Sequence, residues 1–399
     1  MCTVKILSRS TCRRVLCWPA LILICLCLNW HQNSLGQYLF LFYLTLHHIH
    51  RQRFSWDSHL GCSLILGRRR YGGGVSIFCL GMSIWLILSV FTQNRISSFS
   101  LAIMILVWVG WRPFLEELIY GQLMILLGLL LILAWRSIRQ ERFVIGGIYL
   151  GLVFALKLMA WPIILFFVLK RQWRIVICAA MTVLILNFAA ALLLSPMVVV
   201  DYYLNVGMSI MPLYRGSPFN FSVWTVGWRL FEGTGSSVFL SIEAPPLFFV
   251  PELAPWFTYG TLVIYLICSL WLAWRARSFD IAFGILMGVS ILVNPVTWIH
   301  YFTWLLFPII LLCHRLFSLE FPFKESLLSL AGMVSMYFYA DTMTQIICYL
   351  SGVDYIHGVR LEVAPIAALL TYIWPLCVFM LSFMLWYVDH LAMGMVKKG

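Results

Sequence analysis

The chain has 399 residues, of which 62% are hydrophobic and 11% charged. Soluble domains carry about 25% charged residues, so a water-facing surface of this size is excluded and lipid is the expected solvent. The net charge of +12 does not point to nucleic acid, because the basic residues sit in short loops between apolar runs, where they set topology and meet lipid headgroups.

The stretch 14–30 has a basic flank and an apolar core but no small-x-small site after it, so it is expected as an uncleaved first span. Crossing the hydrocarbon takes about 20 apolar residues. Further spans are expected at 74–91, 98–111, 118–135, 175–195, 257–274, 281–299, 300–313, 326–346 and 364–388. The expected architecture is all-α: one polytopic membrane domain over 1–399, with about ten transmembrane helices. Arg136, Arg139 and Arg142 share one loop, and Lys170, Arg171 and Arg174 the next. Arg275 with Arg277, Arg315 with Lys324, and Lys397 with Lys398 follow. All of these are cytoplasmic together under the positive-inside rule, which predicts an inner-membrane protein with its C-terminus in the cytoplasm.

The segment 143–170 is too short to cross twice, yet both its flanks are basic. It is expected to be a re-entrant pair of half-helices, with Lys157 and Pro162 near its middle. On that reading Lys157 lies deep and toward the cytoplasm. The stretch 196–256 is the large outer loop, rich in Tyr, Phe, Trp and Pro, with its aromatics at headgroup depth. The stretch 31–73 is the first outer loop; its Asp57 is the only carboxylate before Glu116. The 12 cysteines form no C-x-x-C pair and no ligand spacing with His, so they read as small buried hydrophobes, and no metal site is expected. There is no P-loop, no Rossmann glycine pattern and no HExxH, so neither a nucleotide-driven pump nor a cofactor is expected.

Ionisable and amide groups within apolar runs are costly and mark function. Lys157, in FALKLMAWP, is a candidate phosphate contact, or else it snorkels. His300 ends NPVTWIH beside Trp298 and Tyr301; it is either an aromatic-belt residue or a sugar, phosphate or proton-transfer contact. Glu116, Glu117 and Gln122 lie at the outer end of one expected span, where Gln122 is either a structural amide or a cavity-lining donor.

Several of these residues fall into one order. Gly121-Gln122 opens a helix, and a basic loop follows. Gly147, Gly151, Lys157, Pro162 and the Lys170–Arg174 end come next. Asn220-Phe-Ser222 lies in the large outer loop, and Asn294–His300 resembles an S-P-x-S-W-x-H motif. Over roughly 110–315 the sequence thereby resembles glycosyltransferase family 87, membrane mannosyltransferases of the GT-C type. The resemblance implies an inverting hexosyltransferase working at the outer face, with a polyprenyl-phosphate-sugar as donor, mannose as the expected sugar, and a lipid or glycan acceptor. It implies a base from the first outer loop, which here falls to Asp57, although the Tyr of the family's acidic element is missing. Gln122, His300, Lys157, Asn220 and Glu117 are the expected substrate contacts. Two rivals share the same features: a transporter or flippase of lipid-linked sugars, and a non-catalytic degraded copy.

Overall fold

The computed structural model describes residues 58–91, 98–234, 242–318, 345–352, 361–365 and 369–396. The expected spans at 14–30 and nearly all of 326–346, and most of the first outer loop, lie outside the described residues.

The first helices are α1 (Ser58–Phe91) and α2 (Ser98–Val109). A kinked pair follows, α3 (Arg112–Tyr120) and α4 (Met124–Arg139), which meet at 116°. Then come α5 (Phe143–Leu156), α6 (Trp161–Leu169) and α7 (Trp173–Leu194). The stretch 196–256 holds α8 (Pro196–Asp201), α9 (Gly207–Tyr214) and α10 (Val226–Phe231). The chain returns through α11 (Leu253–Arg275), α12 (Phe279–Leu292), α13 (Leu306–Ser318) and α14 (Ile373–Val396). Among the described residues five helices are long and apolar enough to cross a membrane, or six if the kinked pair is one span. The exception to helix is a parallel pairing of β1 (Ile242–Glu243) with β2 (Leu361–Glu362), which ties the two large interhelical loops together.

In lipid, helices gain nothing from hydrophobic burial against one another, so close backbone approach must hold them. The Gly147-x-x-x-Gly151 pair supplies that approach between α5 and α7. A Cβ on Gly147 would sit 2.6 Å from the Ile175 carbonyl, and one on Gly151 2.6 Å from the Ala179 carbonyl and from Thr182 Cβ. The register rises together on both helices, so α5 and α7 run parallel from their basic loops.

α12 is the centre of the bundle. Every residue from Asp280 to Leu292 is buried, as a helix hydrophobic on all sides must be. Its start is fastened by two carboxylates. Asp389 accepts from the Arg277 and Ser278 amides at 2.7 and 3.2 Å. Asp280 accepts from Trp135 Nε1 at 2.8 Å and pairs with Arg139 at 3.4 Å. Carboxylates suit a helix N-terminus, where the amides are unpaired and the dipole is positive.

Two of the expected spans are broken in the structure, and α1 begins earlier than expected, at Ser58. The run 281–299 is not one helix: α12 stops at Leu292, and a separate 3₁₀ turn, Ile299–Leu305, leads into α13. The span expected at 118–135 is broken at 121–123. Pro295 has no amide hydrogen for the first break, and the left-handed Gly121 ends the helix at the second.

Gly151→Ala should lower stability by about 1–3 kcal/mol through overpacking. Gly260→Ala, whose Cβ meets nothing within 4 Å, should leave stability unchanged or slightly raised. Thermal melting of the purified protein in detergent measures both.

Candidate functional site

Three breaks in three helices face one another. At the first, Gly121 adopts φ 62° and the chain swings from α3 into α4. At the second, Lys157 is extended (φ −156°, ψ 120°) and ends α5, with Pro162 in the first turn of α6. At the third, Asn294-Pro295 follows α12.

Two residues bind the breaks together. Trp304 Nε1 donates to the Met124 carbonyl at 2.8 Å, joining the third break to the first. Lys157 Nζ lies 3.3 Å from Met124 Sδ and 3.6 Å from the centre of the Tyr301 ring, joining the second to both. A thioether and a ring face are weak partners for an ammonium. Lys157 therefore keeps hydrogen-bonding capacity to spare. It also stands at the end of α5 far from the basic loop, since 14 helical residues rise about 21 Å at 1.5 Å each.

Glu117, Gln122 and His300 complete the cluster. Glu117 is 1% exposed. Its Oε1 accepts from the Ile125 amide at 3.1 Å, at the start of α4. Its Oε2 is buried with no hydrogen-bond partner. The charges of Glu117 and Lys157 act on each other, and that of Lys157 on His300. The His300 ring lies 4.7 Å from Tyr301 and 6.3 Å from Tyr120, and its Nε2 is also buried without a partner. Gln122 is buried in the first break, where its backbone N–H donates to the Glu117 backbone carbonyl at 3.2 Å. Glu116 pairs instead with Arg112, on the same helix. The cluster lies just under the surface: Lys157 and Trp298 are half-buried, while Tyr120 and Leu158 are exposed.

Asn220 sits beside this cluster, fully buried and saturated. Its Oδ1 accepts from the amides of Thr297 (2.8 Å) and Ser222 (3.2 Å). Its Nδ2 donates to the carbonyls of Pro295 (3.0 Å) and Tyr214 (3.3 Å). The rest of the third break is closed from the same loop. Ser222 Oγ donates to the Leu292 carbonyl at 3.1 Å, Trp224 Nε1 to that of Val293 at 2.8 Å, and the Phe221 amide to that of Thr297 at 2.8 Å. Asn220–Trp224 is thus a clasp on the break that carries His300. Arg229, 3% exposed, donates to the carbonyls of Ser217 (2.6 Å) and Asn220. Burial lowers the pKa of its guanidinium from the ordinary value, and the adjoining Tyr372 works against that.

The structure therefore brings together Glu117, Gln122, Lys157 and His300, with Asn220 behind them; Asp57 lies outside the described residues. The family model of glycosyltransferase family 87 matches residues 74–295, more than half of the chain, and covers two of the three breaks and the start of the third. The chain belongs to glycosyltransferase family 87. Membership makes it a membrane glycosyltransferase. No curated protein and no solved structure matches it.

Met124, Arg229 and Tyr372 of this glycosyltransferase were missed in the sequence. Tyr301 directly follows the NPVTWIH run and was legible there as a neighbour of His300. Arg229 was visible as one of the few cations of the long 196–256 loop. Met124 and Tyr372 gave no signal, because an apolar residue that offers a sulfur and an aromatic that offers a hydroxyl look like any other core residues.

Asn220→Ala would leave the Thr297 and Ser222 amides and the Pro295 carbonyl without their partner in a buried place. Its cost should exceed about 2 kcal/mol, at 1–3 kcal/mol for each orphaned buried group. Asn205→Ala, which removes one exposed bond to Asp201, should stay within about 0.5 kcal/mol. Denaturant or thermal melts of the two variants read this difference.

Proposed function

We propose that this glycosyltransferase moves a hexose, mannose being the expected sugar, from a polyprenyl-phosphate donor to a lipid or glycan acceptor at the outer face of the membrane. The observation that carries the reading is the partly accessible Lys157, held by a thioether and a ring beside the unbonded Nε2 of His300. An anionic oxygen at hydrogen-bonding distance is the partner both groups lack. A phosphate at the mouth of this cluster would meet the ammonium directly and accept a hydrogen bond from the imidazole.

The chemistry follows from that placement. The acceptor hydroxyl oxygen forms a bond to the anomeric carbon while the bond from that carbon to the phosphate oxygen breaks. The electron pair leaves with the polyprenyl phosphate, so the anomeric carbon inverts. Lys157 and His300 stabilise the charge that grows on the phosphate, which lowers the barrier only insofar as it acts more strongly there than on the intact donor. The acceptor proton goes to a carboxylate. Asp57 of the first outer loop is the assigned base, and Glu117, with one free oxygen, is the next. Gln122 at the first break is a candidate sugar contact, and Asn220 serves by fixing the third break. The wider expectations go with this reading: a GT-C-type bundle of about ten spans, the outward site, and residues 143–170 entering and leaving on the cytoplasmic side of an inner membrane, with the C-terminus there too. The short helices α5 and α6, broken at Lys157, support that course.

Membranes bearing the protein are given labelled polyprenyl-phosphate-mannose and a mixed lipid extract. Wild type should form labelled product. Lys157→Ala and His300→Ala should lower transfer by about 10²–10³-fold, the usual loss when one group aimed at developing charge is removed, and Asp57→Asn should abolish it. Full transfer by Lys157→Ala would remove the phosphate assignment. Donor movement across vesicles without product would favour the transporter reading, and neither activity the degraded copy.

A further inference from the structure

We propose that Arg229 and Tyr372 are positioning residues for the glycosyl-transfer site: a lock between the outer loop and the last span that fixes where His300 points. The inference rests on the placing of His300 in that site, proposed above.

The lock is a continuous series of contacts. Tyr372 precedes α14, and its hydroxyl donates to the Thr225 carbonyl at 3.0 Å. The Arg229 guanidinium lies over the Tyr372 ring, 4.9 Å from its centre. Arg229 Nη2 grips two carbonyls at once, those of Ser217 and Asn220. These are the two ends of the turn that presents the Asn220 side chain. The Asn220 amide then holds Pro295 and Thr297 from opposite faces, at 3.0 and 2.8 Å. Three residues after Thr297 stands His300, whose carbonyl is held by Thr303 Oγ1 at 2.9 Å.

This series is more than local packing would require. A turn in an outer loop needs no cation to close it, and a buried guanidinium is expensive to desolvate. Both bonds leave one guanidinium nitrogen, whose two N–H groups are fixed in the plane of the group, so the grip has a set direction that a freely rotating ammonium lacks. The anchor is also remote in sequence, since Tyr372 lies in the chain's last described stretch. The neighbouring Trp374 stacks on Phe302, ring centres 4.4 Å apart, two residues beyond His300. The last span therefore meets the His300 turn directly, through Trp374 and Phe302, and indirectly, through Arg229. Displacements well under a helical turn are enough to matter, because about 1 Å of misplacement costs a transferase near 10²-fold.

Arg229→Lys and Tyr372→Phe keep charge and ring but lose the planar guanidinium and the hydroxyl bond. Sugar transfer, melting temperature and membrane abundance are measured on the full-length protein for each, alone and combined with His300→Ala. The lock predicts that kcat falls about 10-fold or more in Arg229→Lys, with a smaller fall in Tyr372→Phe, while melting and abundance stay near wild type. It also predicts that neither change lowers kcat further once His300 is alanine, because residues acting through one group are not additive. Equal proportional losses with and without His300, or losses that follow melting temperature alone, would overturn the inference, as would wild-type kcat in both variants. If the wild type transfers no sugar, the functional reading fails first and takes this inference with it.

Discussion

Backbone groups at membrane depth must find partners within the protein, because lipid offers none. This chain breaks three helices in one place, and everything around that place follows from the need to close them. The carbonyls that α12 leaves free between Leu292 and Pro295 are taken up by side chains of the long 196–256 loop. The amide of Ile125, orphaned by the first break, goes to Glu117. The second break puts Lys157, and not a hydrophobic residue, against the other two. Unbroken helices would have needed none of these polar groups, and they would have left no backbone turn on which to mount a site.

The polar groups divide by what they are given. Asn220, Ser222 and Trp224 have their donors and acceptors matched by backbone. Lys157, His300 and one oxygen of Glu117 do not. Buried polar atoms without partners are rare in native proteins and call for an explanation. A substrate that brings its own charged oxygens supplies one, and family 87 membership supplies a chemistry in which such a substrate is expected.

Much of this was legible in the sequence. The apolar runs gave the helical bundle, because a composition so poor in charge has no other stable form. Lys157 and His300 stood out as ionisable groups in apolar surroundings, and Pro295 and Pro162 marked two of the breaks. The Gly147-x-x-x-Gly151 spacing was visible as part of a resemblance, but its work in packing α5 on α7 needed the partner helix. Hydropathy carried the expected span on to residue 299, because it cannot tell a helix from an apolar turn, and only Asn294-Pro295 marked where the helix stops. The clasp was hidden for a different reason. Asn220 and Thr297 are 77 residues apart, and a hydrogen bond between an amide side chain and a distant backbone leaves no local pattern. Arg229 and Tyr372 belong to the same class of long-range pairing.

The claim that the three breaks form the donor-phosphate site is tested most directly by photo-crosslinking. A polyprenyl phosphate carrying a diazirine close to the phosphate is irradiated with the protein in membranes, and the labelled peptides are mapped with and without excess unlabelled polyprenyl phosphate. The account predicts competed labelling at 119–124, 157–161 and 298–301, one cluster from three separated stretches. Competed labelling confined to the basic-loop ends of the helices, around Arg139, Arg171 and Arg275, would contradict it.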